Sequence, residues 1–394
     1  MYYNLLGNLK GGIKLVHAHH KKAHLAPFAA IGHFVKKNAI MVIAFLAALI
    51  TSFIIPPDSL YLDYFDLKTL CCLFCVLAVV CALKNVNFFY MLANKIVSVF
   101  KTTKSAILAL VYITFIGSML IANDMALLTF LPLGYLVLTT TGKEKYMAFT
   151  FIMQNIAANL GGMLTPFGNP QNLYLYSKFG IGDLEFISIM ALPFIISIAL
   201  ITACCLVFVK NEELTISSAK IEVNKKRTAI YLLLFALSIV IVFRFIPYYI
   251  GPIVIVPLLL FLDRDALKKV DYPLLLTFVF FFIFAGNMAR IDAVRELFSM
   301  LLDKNTLVFS VLSCQIISNV PSSILLSQFT TNYKDLLIGV NIGGAGTLIA
   351  SLASLITFKE YIKHNPHGSA KYIGLFSLFN FAFLIILTVI MSIV

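Results

Sequence analysis

The chain of 394 residues is 60% hydrophobic and only 12% charged, and its mean hydropathy is +0.95. These values exclude an ordinary soluble domain, whose surface needs far more charge, and indicate a polytopic membrane protein. The net charge of +12 does not indicate a nucleic acid partner, because the basic residues cluster in short loops between apolar runs.

Nine membrane crossings of an all-α protein are predicted from the apolar runs. They lie near residues 39–55, 67–83, 146–179, 186–209, 228–245, 247–262, 272–289, 334–361 and 371–394. With the N-terminus inside, 23 of the 30 Lys and Arg residues fall on the cytoplasmic side, as the positive-inside rule requires. We therefore expect a plasma (inner) membrane protein with a cytoplasmic N-terminus and an external C-terminus.

The first 38 residues are basic and rich in histidine, without the apolar core and cleavage site of a signal peptide. They predict an amphipathic segment that rests on the cytoplasmic membrane surface.

The run 146–179 is apolar but cannot form one continuous helix. Residues 159–172 contain three glycines and two prolines, which loosen the backbone and remove amide donors. Irregular backbone at membrane depth is tolerated where it is buried in protein or lines a wet cavity. The run therefore predicts a broken helix whose opening forms a substrate or ion site.

Asp124 is the single acid outside the predicted loops, between apolar runs 105–122 and 125–140. Either both runs cross the membrane and Asp124 is a far-side turn residue, or residues 105–140 form a re-entrant hairpin that buries it. Because acids at membrane depth are usually functional, we predict that Asp124 is the residue that couples transport to an ion.

A second copy of these features favours the hairpin. Asn123-Asp124 resembles Ser318-Asn319, residues 159–165 align with 341–347, and residues 168–172 align with 350–354. The second hairpin, 306–330, has arms too short to cross about 30 Å at roughly 1.5 Å per residue.

An odd number of crossings separates the two copies, which predicts an inverted repeat of the kind found in secondary transporters. The first repeat covers residues 39–209 and the second covers 228–394, with a cytoplasmic linker at 210–227. Each contains a hairpin and a broken helix, the second at 334–361.

These motifs resemble the ion transporter superfamily of arsenite permeases, NhaD-type antiporters, and citrate and dicarboxylate carriers. The resemblance is carried by Asn123-Asp124, by the run 165–172, by Ser318-Asn319, and by the Gly343-Gly344 stretch. It implies two re-entrant hairpins and two broken helices around a transport site. In the dicarboxylate carriers both tips read Ser-Asn-Thr, whereas the first tip here is closer to the arsenite and citrate–metal branches.

The candidate site consists of amides, hydroxyls, glycines and one carboxylate, a set suited to Na⁺ or to a proton relay. Its members are Asn123, Asp124, Asn159, Gly161, Gly162, Thr165, Gly168, Asn169, Asn172, Ser318, Asn319, Asn341, Gly343, Gly344, Thr347 and Ser351. Na⁺ would lie near Asp124, Asn159, Asn319 and Asn341. No other cofactor is expected. Arg290, the nearest basic residue, is interpreted as an anchor at the membrane interface.

The predicted function is a permease, coupled to H⁺ or Na⁺, for a small anion such as a di- or tricarboxylate or an oxyanion. A metalloid efflux permease, a Na⁺/H⁺ antiporter, a channel and a membrane-embedded lipid enzyme are the alternatives; an enzyme would need more than one reactive group at membrane depth. The expected partners are the bilayer and the anion, with a homodimer left open.

Overall fold

A computed structural model describes residues 38–97, 99–214 and 223–394. The predicted N-terminal segment lies outside these residues except for Asn38, as does the middle of the predicted linker. The described chain is helical apart from its loops, and one isolated backbone bridge joins Thr102 to Glu213. The all-α class is therefore confirmed.

Eighteen α-helices occur in the described ranges. They are α1 (Ala39–Ile54), α2 (Leu67–Asn85), α3 (Phe88–Val97), α4 (Thr103–Ile121), α5 (Asn123–Thr140), α6 (Met147–Gly161), α7 (Pro170–Lys178), α8 (Asp183–Phe208), α9 (Lys225–Val242), α10 (Ile250–Leu262), α11 (Arg264–Lys268), α12 (Tyr272–Ala289), α13 (Asp292–Lys304), α14 (Thr306–Ile317), α15 (Asn319–Leu326), α16 (Tyr333–Ile342), α17 (Leu352–His364) and α18 (Ser369–Ile393). Short 3-10 helices lie at Ser59–Tyr64, Glu144–Tyr146, Gly162–Leu164 and Pro366–Gly368.

Five helical stretches in the described ranges are long and apolar enough to cross a bilayer: Leu67–Asn85, Thr103–Ile121, Asp183–Phe208, Tyr272–Ala289 and Pro366–Ile393. Shorter apolar helices include α1, α10 and α14. Many large apolar side chains of the described helices face outward, such as Phe53, Leu233 and Phe261. The fold is that of a polytopic membrane protein, in which lipid covers such faces.

The helices pack in two groups. A frame group contains α1, α2 and α9–α12, in which α1 lies along α12 and α2 contacts α9, α10 and α11. A site group contains α4–α8 and α14–α18. The short helices α3 and α13 each follow a frame helix and pack against an arm of a hairpin in the site group. Both predicted repeats contribute helices to both groups.

Two helical hairpins dominate the site group. The first hairpin joins α4 and α5, of 19 and 18 residues, and the second joins α14 and α15, of 12 and 8 residues. At about 1.5 Å per residue the arms of the first hairpin extend roughly 27 Å, much further than those of the second. The length argument for a hairpin therefore applies to the second copy alone.

Each hairpin turns at one strained residue. Ala122 has φ 66° and ψ 151°, and Ser318 has φ 75° and ψ 158°. This region is essentially restricted to glycine, and other residues pay about 1–3 kcal/mol to occupy it. The strain persists because the contacts of each turn, described below, over-determine its conformation.

Two helices of the site group are broken, as the glycines and prolines predict. The first break separates α6 from α7 at residues 162–169, and the second separates α16 from α17 at residues 343–351. We call these segments the first opening and the second opening. Pro166 and Pro170 lack amide hydrogens, so the first break leaves fewer donors without a partner.

Candidate functional site

The turn of each hairpin, which we call its tip, is bound to the opening of the same repeat. The backbone N–H of Asn123 donates to Gly168 O (3.1 Å), and that of Asn319 donates to Ala350 O (2.9 Å). Each Asn also accepts, through Oδ1, a bond of 2.9 Å from the next backbone N–H. The first tip thus lies against unwound backbone inside the site group.

These contacts make Asn123 equivalent to Asn319, and Ala122 equivalent to Ser318. The pairing of Asn123-Asp124 with Ser318-Asn319 is therefore wrong by one residue. The error arose because Asn-Asp and Ser-Asn look alike as polar pairs, whereas the equivalence depends on which residue turns the chain. The residue equivalent to Asp124 is then Val320.

The hydroxyl groups of the candidate set fasten the openings to the hairpins. Thr165 Oγ1 donates to Met119 O (2.6 Å), and Thr347 Oγ1 donates to Gln315 O (3.2 Å). Both acceptors lie three residues before the strained residue of a tip. These two hydroxyls therefore hold the backbone of each opening against the backbone of its hairpin.

Two serines complete the second opening. Ser318 Oγ donates to Ala350 O (3.2 Å), the carbonyl that also binds the second tip. Ser351 Oγ lies 3.0 Å from Ser354 Oγ and accepts a bond from the backbone N–H of Ser354, which caps α17. Both serines are buried.

Gly161 and Gly343 allow the broken helices to approach the hairpins. A Cβ atom on Gly161 would lie 2.3 Å from Phe115 O, and one on Gly343 would lie 2.7 Å from Cys314 Sγ. Both glycines therefore face a hairpin arm, and this close contact explains them without a ligand.

The next glycine in each pair faces polar groups. A Cβ atom on Gly162 would lie 2.5 Å from Asn169 Oδ1, and one on Gly344 would lie 3.1 Å from Asn319 Nδ2. The Cβ on Gly344 would also lie 3.6 Å from Asn159 Oδ1, in the other repeat. Gly344 thus lies where amides of both repeats converge.

Buried amides join the two repeats directly. Asn341 Oδ1 accepts bonds from Asn169 Nδ2 (3.1 Å) and Gln171 Nε2 (3.3 Å), while Asn341 Nδ2 donates to Asn172 Oδ1 (2.6 Å). Asn159 contributes its backbone carbonyl, which accepts from Asn169 Nδ2 (3.2 Å). We call these five residues the amide junction. Each is at most 2% exposed.

The junction extends to the first tip, because Asn123 Nδ2 donates to Asn159 Oδ1 (3.2 Å). Within the described residues, three oxygens of this region are buried without a hydrogen-bond partner: Asn169 Oδ1, Gln171 Oε1 and Asp124 Oδ1. Buried polar atoms rarely remain unpaired, and oxygen ligands are those that hard cations prefer. These three unpaired oxygens are therefore of the kind that can bind a proton or a cation such as Na⁺.

Basic side chains take no part in this site within the described ranges. Arg290 pairs with Asp58 at 2.7 Å and donates to Tyr64 Oη (3.1 Å), all within or beside the frame group. The hydrogen bond from Arg290 holds the pKa of Asp58 below its usual value. An anion at the tips or openings would thus need compensation from groups other than Lys or Arg.

Sequence reasoning missed two functional candidates. Gln171 is absent from the predicted set, yet its Nε2 donates to the central amide oxygen, Asn341 Oδ1. Gln315 was not considered, because a single glutamine on an apolar run gives no specific signal. Its position three residues before the second tip, opposite a glycine-rich opening, is the signal that would have found it.

Two hairpin tips set against two broken helices, in an all-helical chain with membrane-crossing helices, define a polytopic membrane permease. A sequence model described as a citrate transporter matches residues 29–333, well over half of the chain. The chain belongs to this citrate transporter family. This confirms the resemblance to the ion transporter superfamily. The match includes the first opening and both tips and ends before the second opening.

Two relatives are similar to this chain over most of its length. The uncharacterized transporter MJ0456 of Methanocaldococcus jannaschii is 36% identical over 294 residues, which is 74% of this chain and 80% of the relative. The inner membrane protein YbiR of Escherichia coli is 29% identical over 284 residues, covering 69% and 74% of the two chains.

Proposed function

We propose that this protein is a secondary active transporter that couples a small anion, such as a di- or tricarboxylate or an oxyanion, to H⁺ or Na⁺. The observation that carries the proposal is the carboxyl group of Asp124. It lies at the first tip, next in sequence to Asn123, whose side chain binds Asn159 of the amide junction, and its buried Oδ1 has no hydrogen-bond partner among the described residues.

An acid in this position suits a coupling role because its charge must change during turnover. Leaving an uncompensated carboxylate at membrane depth costs roughly 2.5 to 3.5 kcal/mol on insertion scales. A proton or a bound cation removes most of that cost, so the loaded carrier moves more readily than the empty one. The unpaired oxygens of Asn169 and Gln171 supply further ligands of the kind that Na⁺ prefers.

The N-termini of four helices are suited to binding the proposed anion. The helices α5, α7, α15 and α17 all begin at a tip or an opening, and a helix N-terminus presents amide hydrogens and a partial positive charge. Since the tips and the openings contain no Lys or Arg, an anion would rely on these helix ends and on a cation bound with it. The citrate named by the family description is the first substrate to test.

The proposal includes the predicted topology: nine crossings, two re-entrant hairpins in an inverted repeat, a cytoplasmic N-terminus and an external C-terminus in the inner membrane. It rests on the distribution of Lys and Arg and on the matched tips and openings. A reporter that is active only in the cytoplasm can be fused to Val394. Activity of this fusion would place the C-terminus inside and contradict the topology. Chemical cross-linking in native membranes would decide between a monomer and a homodimer.

Uptake into proteoliposomes tests the function. We expect purified protein to accumulate radiolabelled citrate, with or without Mg²⁺, when an inward H⁺ or Na⁺ gradient is imposed, and to catalyse exchange without one. Flux that is downhill only and shows no counterflow would indicate a channel. Product formation from bilayer lipids would indicate an enzyme.

A Na⁺/H⁺ antiporter is the second candidate, favoured by the solitary carboxyl group of Asp124 and by the shortage of basic groups. In that case a pH-sensitive dye inside the vesicles should report H⁺ movement on addition of Na⁺ alone, with no effect of citrate. A vesicle response that requires arsenite in place of citrate would instead favour the metalloid permease.

A further inference from the structure

The side chain of Gln315 is committed to the second opening. Its Nε2 donates to Gly343 O (2.9 Å) and Ala345 O (3.2 Å), and its Oε1 accepts from the backbone N–H of Thr347 (2.9 Å). One further bond joins Nε2 to Val311 O (3.1 Å) in its own helix. A single side chain thus binds three backbone groups that the break in the helix leaves without helical partners.

The second opening is shaped around this amide. Gly346 has φ 115°, and a Cβ atom there would lie 2.1 Å from Gln315 Oε1. Glycine at 346 is therefore required twice, by the backbone conformation and by the approach of Gln315. Residues 343–345 are buried, so their carbonyls have no access to bulk water.

In the first opening, a different side chain binds the backbone groups that the break leaves without helical partners. Met119, the residue equivalent to Gln315, contacts the opening through its backbone carbonyl, as described above, and has no polar side chain. The carbonyls of the first opening are bound instead by Asn172 Nδ2, which donates to Gly162 O, Met163 O and Thr165 O at 3.1–3.2 Å. Asn172 belongs to α7 of the same broken helix, not to the hairpin.

Ser354, the residue equivalent to Asn172, does not replace this function. Its hydroxyl contacts Ser351 Oγ (3.0 Å) and accepts from Asn155 Nδ2 (3.3 Å), and within the described chain it makes no hydrogen bond to residues 343–347. The second opening consequently depends on a residue of the hairpin.

We propose that Gln315 is the positioning residue of the second opening, fixing residues 343–347 to the second hairpin so that tip and opening form one wall of the transport site. The inference rests on the proposed function and adds a residue outside the candidate set. Ala350 O, bound by the second tip, and Gly344, which faces the junction amides, both depend on where this segment lies. Loss of Gln315 should therefore weaken ligand binding more than it slows turnover.

The test compares Gln315→Met, which introduces the residue type of the first copy, with the control Gln154→Met. Gln154 is also buried, and its Nε2 donates to Thr114 Oγ1 (3.0 Å) and Phe130 O (3.2 Å) in the first hairpin, away from both openings. Both variants lose buried hydrogen bonds and should unfold at lower temperature. Only the first should alter the second opening.

Hydrogen exchange of the purified proteins gives a readout that needs no substrate. In Gln315→Met the peptide covering 343–350 should exchange at least about tenfold faster than in the wild type, and in Gln154→Met it should be unchanged. Equal exchange of this peptide in Gln315→Met and wild type would overturn the proposal. Failure of wild-type protein to transport citrate would contradict the proposed substrate and leave this readout intact.

Citrate uptake supplies the functional readout. Gln315→Met should raise KM about tenfold or more, with the maximal rate within about threefold. An equal rise in KM for Gln154→Met, or a loss confined to the maximal rate, would overturn the positioning role.

Gly346→Ala reaches the same contact from the opposite side and leaves Gln315 in place, which keeps the proposal testable if Gln315→Met does not fold. It should show the same faster exchange and raised KM. In the double variant the two effects should not multiply, because both act through one contact. Full multiplication, or normal exchange in Gly346→Ala, would contradict the inference.

Discussion

The two tips share one backbone conformation and differ in the chemistry of their side chains. Ala122 and Ser318 have φ and ψ angles within 10° of each other, and each following asparagine binds a carbonyl of its own opening. The next position is Asp124 in one tip and Val320 in the other. The backbone is thus common to both sites, and the charge is confined to the first.

The openings differ in what holds them. Asn172 secures the first opening from within its own broken helix, whereas Gln315 secures the second from the hairpin. Under the proposed function, the first tip would titrate or bind the coupling cation, and the second opening would form a neutral, rigid wall of the transport site.

Substitution of the strained residues should have the largest effect on folding. Ala122→Val and Ser318→Val place a β-branched side chain at positive φ, which should cost roughly 2 kcal/mol or more. Ala122→Gly and Ser318→Gly are the matched controls and should fold normally, since glycine adopts this conformation freely. Thermal unfolding of purified protein measures both pairs. Wild-type stability of either Val variant would show that its tip does not have this conformation.

Substitutions of Gly162 and Gly344 should have different effects, the first on the stability of an opening and the second on ligand binding. In Gly162→Ala the new Cβ meets backbone, Gly168 O at 2.8 Å, so the carbonyl bound by the first tip must move. We expect a loss of stability of roughly 1–3 kcal/mol.

Gly344→Ala should be milder for stability, because the nearest atoms, Asn319 Nδ2 at 3.1 Å and Asn341 O at 3.3 Å, need to move only slightly. Its side chain enters the region where the amides of both repeats converge, so the KM for citrate should rise while the unfolding temperature changes little. A larger loss of stability in Gly344→Ala than in Gly162→Ala would reverse this comparison.

The smallest expected effect concerns the base of each hairpin, the end of its arms opposite the tip. The contribution of these contacts to stability should depend on pH in the first hairpin and not in the second. Glu212 pairs with Lys143 and Lys145 at the base of the first hairpin, and hydrogen bonds from these lysines lower its pKa to about 2. The base of the second hairpin relies on a neutral contact, between Ser327 Oγ and Tyr174 Oη at 2.8 Å.

Because the pKa of Glu212 is lower in the folded state, its stabilising contribution is complete above the unfolded value, about 4.3, and is lost as pH falls toward 2. Glu212→Gln should lower the unfolding temperature at neutral pH. The difference from wild type should shrink between about pH 5 and about pH 3. The control Glu144→Gln, at a neighbouring exposed position, should show no such trend, and a difference that stays constant would contradict the assignment.

Local patterns predicted the parts of the site that depend on backbone chemistry. Glycines and prolines at 159–172 indicated the first break, and the repeated spacing of Asn159 and Asn341 indicated the second. The strained turns gave no such signal, because alanine and serine at 122 and 318 are not residues that normally mark positive φ.

Contacts between distant segments could not be predicted from local sequence patterns. Nothing local distinguishes Gly161, which packs against a hairpin, from Gly162, which faces polar groups. The roles of Gln171 and Gln315 likewise depend on which backbone groups lie opposite them after folding. Such groups become identifiable once the hairpins are docked onto the broken helices.

The most direct test of the account is the transport activity of Asp124→Asn in proteoliposomes. Asparagine keeps the size and much of the hydrogen bonding of aspartate but cannot titrate or neutralise a cation. The control is Asp265→Asn, the same change at an exposed position.

We expect Asp124→Asn to retain citrate exchange or binding and to lose accumulation driven by a pH or Na⁺ gradient, whereas Asp265→Asn behaves as wild type. Gradient-driven accumulation at the wild-type level in purified Asp124→Asn, at several pH values, would contradict the coupling role and the distinction between the two tips.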